Sequence, residues 1–488
     1  MEEQKHRQNN QRQVKPVVRC LLVLLLSAFS SVAESSAEQS RMNVVFILID
    51  DLGWSDVGCN GSTYYRTPNI DQLASEGVRF TSAYAACNVC SPTRAAVMTG
   101  RYPARMLLTT WLPSGRWSRT KHRMIEGRYI SNLPLEEFTI AEALREGGYR
   151  TAFMGKWHLG TETYYYPEHQ GFDVNVAGRD YGAPGNYFYP FEGGWDIPTT
   201  GKRLVKESPL SGRPGDYLPD RLAEEAENFI AENTERPFFL MLSHYAVHTP
   251  LQAKAEMIKR YEKVPKAKQQ GKPAYAAMVE SVDQSVGRVL NALRKHELDD
   301  NTLVIFTSDN GGFAKATSNA PLRANKGSNY EGGIRVPLVI RWPGVSKSGL
   351  VSDEPVISTD FYPTILDATG LRPRPHQHVD GLTLRPVVSG TSSLDREAIY
   401  WHFPHYLKHP SSFPSGVIRS GKWKLIEAFE TGEISLFDLA SDIGETNDLA
   451  QSRPQIVRKL HEMLRRWRAE VGADPMRPNP EYVENTQP

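Results

Sequence analysis

The sequence predicts an α/β protein, with a large, mostly parallel mixed sheet sandwiched by helices and a smaller C-terminal antiparallel sheet with a covering helix. Three observations carry this expectation. Apolar runs of strand length at residues 44–49, 151–155, 238–243 and 303–308 each end in a polar cluster, and continuous apolar runs suit strands buried on both faces of a parallel sheet. Helical patterns separate these runs at residues 140–146, 218–233 and 274–296. After about residue 385 the texture changes to shorter strand-like pieces. In open α/β sheets ligands bind at the carboxyl ends of the strands, so the four polar clusters are expected to converge on one site.

The chain opens on residues 1–33, where Lys5, Arg7, Arg12, Lys15 and Arg19 precede an apolar stretch and small residues at Ser31-Val32-Ala33. This reads as a secretory signal, too short in its apolar core for a spanning helix, with an uncleaved anchor as the alternative. An exported chain, periplasmic or secreted, follows from it; in a eukaryote it would be lysosomal or extracellular. Lys+Arg of 57 against Asp+Glu of 56 leaves no global field that would draw the chain to nucleic acid or a membrane surface. Removing Cys20 with the signal leaves Cys59, Cys87 and Cys90, and an odd number in an exported chain marks one thiol for another fate.

A main domain is expected over 41–385. Its first strand ends in Asp50-Asp51, and a short helix is expected over 91–98, with Pro92 in its first turn and Gly100 at its end. Cys90 then sits at a helix N-terminus, which favours an anion, and Arg94 lies one turn along the same face, able to point back at position 90. The later strands end in Lys156-Trp157-His158, in the run from His244 to His248, and in Asp309-Asn310-Gly311-Gly312. The helix at 274–296 carries Val279, Val282, Val286, Val289, Leu290 and Leu293 at helical spacing. A C-terminal subdomain over 386–475 holds strand-like pieces at 398–402, 416–420, 422–426 and 435–438, and a closing helix with Ile456, Leu460, Met463, Leu464 and Trp467 on one face. Residues 476–488 form a tail.

Asp50, Asp51, Asp309 and Asn310 offer only oxygen ligands, which suits a hard cation such as Ca²⁺ or Mg²⁺ rather than zinc. Cys90-Ser91-Pro92-Thr93-Arg94, followed by Met98-Thr99-Gly100-Arg101-Tyr102-Pro103, closely resembles the signature of the sulfatase family, within the alkaline-phosphatase-like superfamily. Gly155-Lys156-Trp157-His158, His248-Thr249-Pro250, the run from Lys326 to Gly333, and Leu436-Phe437-Asp438-Leu439 with Gly444-Glu445-Thr446-Asn447-Asp448-Leu449 are similar to further family motifs. The resemblance runs from about residue 43 to about residue 470.

What the resemblance implies is specific. Cys90 is converted by a maturation enzyme to formylglycine, whose hydrate is the nucleophile. One divalent metal, usually Ca²⁺ with Mg²⁺ as the lesser alternative, is held by Asp50, Asp51, Asp309, Asn310 and position 90. Lys156 contacts the sulfate, His158 contacts the formylglycine hydroxyl, and His248 and Lys326 complete the sulfate contacts. One hydroxyl of the hydrate attacks sulfur while His248 or Lys326 meets the departing oxygen; His158 then deprotonates the second hydroxyl and sulfate leaves. With Cys90 modified, Cys59 and Cys87 remain, either as a disulfide or as two buried thiols. The implied function is an exported sulfuric ester hydrolase acting on a sulfated carbohydrate, with no nucleic-acid partner and no integral membrane segment. The alternatives are a phosphate or phosphonate monoesterase of the same superfamily and a catalytically silent binder of sulfated glycans. For substrate contacts, the basic segment from Arg101 to Arg123, with Trp111 and Arg116, is expected to reach the pocket mouth, opposite His402 and His405 of the aromatic segment 401–406.

Overall fold

The computed structural model describes residues 41–113, 117–160, 162–197, 201–205 and 210–483. The expected signal segment and Arg116 lie outside the described residues. Eight strands build the main sheet: β1 (Asn43–Ile49), β2 (Val78–Phe80), β3 (Arg150–Gly155), β4 (Val174–Val176), β5 (Phe238–Ser243), β6 (Thr302–Ser308), β7 (Leu338–Arg341) and β8 (Leu350–Ser352). Their spatial order is β8-β2-β7-β6-β1-β5-β3-β4. The block from β6 to β4 is parallel throughout, and β7 runs antiparallel between β6 and β2. The sheet is therefore mostly parallel and mixed.

β1 lies inside this sheet because it is apolar on both faces. Val45, Ile47 and Ile49 join a core that includes Leu222 and Phe229 of one helix and Val279, Val282 and Val286 of another. Val44, Phe46 and Leu48 join a separate core on the other face, with Ala95, Val97, Ile140, Leu144, Phe361 and Ile365. The helices that supply these residues are α1 (Cys90–Thr99), α2 (Ile140–Glu146), α3 (Leu218–Glu232), α4 (Pro273–Lys295) and α5 (Phe361–Thr369). α2 coincides with its expected range and begins in a capping box, in which the Thr139 side chain accepts from the Glu142 amide and Glu142 accepts from the Thr139 amide.

The C-terminal segment forms a four-stranded antiparallel meander, β9 (Ile399–Phe403), β10 (Ser415–Ser420), β11 (Trp423–Ala428) and β12 (Ile434–Asp438). The helix α6 (Pro454–Glu470) buries Leu460, Met463, Leu464 and Trp467 against it. The same core takes in Tyr84, Ala96 and Tyr102, so this sheet packs beside the far side of α1. Buried charges join the two parts as well. Lys424 on β11 lies 2.8 Å from both Glu331 and Glu445, and all three are fully buried.

The register of the parallel strands positions the site. Ile49 pairs with Ser308, Leu48 with Ser243, and Gly155 with Ser243. Four strands thus stop at nearly one level, and the residues that follow emerge along one edge. Gly155 makes the closest approach; it holds φ at +107°, and a Cβ there would lie 1.9 Å from the Ser243 carbonyl oxygen. Only glycine fits that position. Among the described residues, no helix is long and apolar enough to cross a membrane.

Candidate active site

α1 starts at Cys90, behind an extended Val89 that provides no side-chain cap, and ends at Gly100 with φ of 68°. Every residue of α1 is buried, so its amino end projects into the interior toward the strand ends. Lys326 Nζ lies 3.6 Å from the Cys90 sulfur. Burial raises the Cys90 thiol pKa against the lowering effect of Lys156 and Lys326, with the Asp50 and Asp309 carboxylates adding smaller upward contributions. An unmodified thiol here is protonated at neutral pH, which makes it a poor nucleophile.

Three buried carboxylates converge on this point, each paired with its own cation. Asp50 Oδ2 lies 2.6 Å from Lys156 Nζ, and Asp51 Oδ1 lies 2.6 Å from Lys326 Nζ. Asp309 Oδ2 accepts from Arg94 Nε at 2.9 Å and lies 2.7 Å from Arg94 Nη2. Arg94 also donates to the Lys156 carbonyl and to Ser243 Oγ. Its guanidinium hydrogen bonds are therefore spent on Asp309 and the strand ends, with Cys90 close enough to add to the charges that act on it. Asn310 Nδ2 donates to Asp51 Oδ1 at 2.8 Å.

Two oxygens in this cluster, Asp50 Oδ1 and Asn310 Oδ1, are buried without a hydrogen-bond partner among the described residues. A buried orphan acceptor costs about 1–3 kcal/mol, and a cation at this point would satisfy both. Asp50, Asp309 and Cys90 each offer a ligand atom within 4.8 Å of the others, as do Asp50, Asp51 and His248. Burial pushes the Asp50 carboxyl up to about 8, with Lys156 opposing and Asp309 and Asp51 adding to the rise. For Asp51 burial also acts upward, but Lys326, His248 and Lys156 together hold it low. Crowded carboxylates, all-oxygen donors and two orphaned oxygens fit a hard divalent cation. Asp51 sits at φ 65° and His158 at φ 59°; such left-handed backbone in non-glycine residues is costly and clusters at functional sites.

Both site histidines are oriented by backbone carbonyls. His248 Nδ1 bonds the Thr249 carbonyl at 2.8 Å, which makes Nδ1 the protonated nitrogen and leaves Nε2, 3.7 Å from Asp51 Oδ2, as an acceptor. Burial and the Lys326 charge push the His248 pKa down to about 3, with Asp51 opposing. His158 Nε2 donates to the Leu112 carbonyl, and Nδ1 has no partner among the described residues. Burial, with Lys156 nearby, lowers its pKa well below the usual imidazole value. His244 turns away, bonding Ser285 Oγ at 2.9 Å, as a packing residue would.

A cavity of about 460 Å³ opens onto this cluster. Asp51, Cys90, His158, His248 and Lys326 line its reactive end, and Trp111, Leu112, Gln252, Phe313 and His409 are among its walls. Lys156 is fully buried on Asp50 and does not line the cavity. Of the expected substrate residues, Trp111 lines the wall. His402 and His405 do not. His402 is buried with Nε2 on the Asp474 carbonyl and lines a different cavity beside α6. His405 is fully buried against Thr109 Oγ1, 3.6 Å from Glu126. Residues 403–409 leave the sheet edge, and it is His409 that reaches the cavity, edge-to-face with Phe313. Sequence reasoning missed both, because neither belongs to a motif. Three arginines of the basic segment are committed elsewhere, Arg101 to Glu137, Arg105 to Asp380 and Arg119 to Glu481. Cys59 and Cys87 are both free thiols.

The Sulfatase family model matches residues 42–371. The chain belongs to the sulfatase family. A second family model, the C-terminal part of N-sulphoglucosamine sulphohydrolase, matches residues 324–470 of this sulfatase. It is 33% identical to a sulfatase of Formosa agariphila, over 93% of each chain, and 31% identical to human arylsulfatase A, over 91% of this chain and 89% of that one. The solved structure of Ps i-CgsB in complex with k-i-k-neocarrahexaose is 31% identical, with a TM-score of 0.74 over 92% of this chain and 96% of that one. This sulfatase is a sulfuric ester hydrolase of alkaline-phosphatase-like fold.

Proposed function

We propose that this sulfatase is exported and removes sulfate from a sulfated carbohydrate, using formylglycine made from Cys90 by a maturation enzyme and one Ca²⁺ held by Asp50, Asp51, Asp309, Asn310 and position 90. The observation that carries this reading is the placement of Cys90 in the lining of the 460 Å³ cavity, its sulfur 3.6 Å from Lys326 and grouped with Asp50 and Asp309. The basic, then apolar segment at residues 1–33 supports export. A modified position 90 supplies a hydroxyl nucleophile, and the cation supplies charge neutralisation.

The chain's own groups then divide the proton work. His158 Nδ1 carries the available lone pair and takes the proton that must leave the position-90 hydroxyl before sulfate departs. Of the two cavity-lining groups available to meet the leaving oxygen, His248 is oriented with an acceptor Nε2, so Lys326 is assigned as the donor. Asp51 holds that ammonium in place at 2.6 Å. Arg94 fixes Asp309 through its Nε and Nη2 contacts.

A carbohydrate is favoured by the wall beyond the reactive end, where Trp111, Phe313 and His409 present half-buried rings. Aromatic faces match the apolar faces of sugar rings. The structure of Ps i-CgsB, by its description, holds a neocarrahexaose. Replacing Trp111 or His409 by alanine is expected to lower kcat/KM on the sulfated glycan by roughly two- to tenfold, the equivalent of one ring contact, and to change turnover of a small aryl sulfate less. Equal losses on both substrates would move the glycan contacts elsewhere. The decisive test is a screen of defined sulfated mono- and disaccharides beside an aryl sulfate and an aryl phosphate. Sulfate release from a sugar supports the reading, and faster phosphate than sulfate release would overturn it.

A further inference from the structure

Lys326 lies in an irregular loop between β6 and the short helix Glu331–Ile334, so no regular element holds its ammonium against Asp51 and Cys90. Three buried side chains outside the reactive cluster tie that loop down. Asn88, two residues before Cys90, donates from Nδ2 to Asn329 Oδ1 at 2.9 Å. Asn329 Nδ2 donates onward to Ser415 Oγ on β10 at 3.0 Å, and Ser415 donates to the Phe413 carbonyl. The Asn88 carbonyl accepts from the Gly327 amide at 2.8 Å. Asn88, Asn329 and Ser415 are at most 2% exposed.

We infer that Asn329 is a positioning residue, clamping the Lys326 loop both to the turn that presents the nucleophile and to the C-terminal sheet. The inference rests on the reading of Lys326 as a group that touches the sulfate ester. Asn329 does not line the cavity, and among the described residues its side chain hydrogen-bonds Asn88 and Ser415 rather than a carboxylate of the cluster. Each of its amide atoms is used once, one toward Asn88 and one toward Ser415. Truncating it strands a buried donor on one side and releases the loop on the other. A shift of about 1 Å in a positioned group can cost about a hundredfold in rate.

The test uses full-length protein and inorganic sulfate, the product anion, as the binding probe, so that it reads out independently of turnover. Asn329→Ala is expected to weaken sulfate binding by roughly tenfold, and kcat on an aryl sulfate by at least as much. In a Lys326→Ala background the same change should alter sulfate binding less than about twofold, because groups that act through one another are not additive. Ser415→Ala, a milder change, should show a smaller loss with the same dependence on Lys326, and Ser415→Thr, which keeps the hydroxyl, should restore it. Equal weakening with and without Lys326 would make Asn329 a general fold residue and overturn the inference, as would unchanged binding in Asn329→Ala. A failure of the underlying reading looks different, because Lys326→Ala alone would then leave sulfate affinity and turnover untouched.

Discussion

Cys90→Ala protein is expected to fold and to release no sulfate above background, a loss on the scale of about 10⁶-fold seen when a covalent nucleophile is removed. The asymmetry between activity and stability follows from the surroundings of position 90. Its sulfur contacts Lys326 Nζ, and it starts α1 without capping it. The ten residues of α1 are held by burial against the α5 side of the sheet and the C-terminal core, so removing one sulfur atom disturbs little packing. The melting temperature should fall by a few degrees at most. Mass spectrometry of the active protein should find an aldehyde in the peptide spanning Cys90, and hydrazide reagents should label it. Full activity in protein that carries only the thiol would end the formylglycine reading.

The second large effect belongs to Asp309. Its carboxylate is fully buried and accepts two contacts from Arg94, which is itself 2% exposed. Asp309→Ala removes the carboxylate paired with the buried Arg94 guanidinium, and breaking a buried pair in this way costs about 3–5 kcal/mol. The variant should therefore be both inactive and markedly less stable, as read by denaturant midpoint. Chelation separates the two effects. Removing Ca²⁺ with a chelator should abolish turnover reversibly and leave the chain folded, because Arg94–Asp309, Lys156–Asp50 and Lys326–Asp51 remain paired. Metal analysis of active protein should give about one calcium per chain. Zinc, or active protein without metal, would refute the assignment.

The order of residues along the chain already marks where the chemistry is concentrated. Val44 to Ile49 carries no polar residue, which places it between two helical layers, and the polar residues must then begin where the strand ends, at Asp50. The same logic marks Lys156 and Asp309, and Pro92 and Gly100 bracket the helix that starts at Cys90. These features rest on local rules: periodicity, strand burial, and the special backbone of proline and glycine. The reversed strand β7 was not legible in this way, since a short apolar run does not state its direction.

Other decisions belonged to the tertiary structure alone. Helical spacing allowed Arg94 to point back at Cys90, but a buried guanidinium goes to the nearest unpaired carboxylate, and the register of β1 and β6 brings Asp309 there. His402 and His405 sit in the aromatic segment that approaches the site, yet both are consumed by core hydrogen bonds to the Asp474 carbonyl and to Thr109. His409, which belongs to no motif, is the side chain of that segment that reaches the cavity, because the chain must leave the edge of β9 before it can turn over the Lys326 loop. The pairing of the basic segment with Glu137, Asp380 and Glu481 was equally hidden, since those acids lie far away in the chain. Residue type and local spacing announce which groups can react; which of them meet is settled by strand register and by competition for buried partners, and neither can be read from a linear order of side chains.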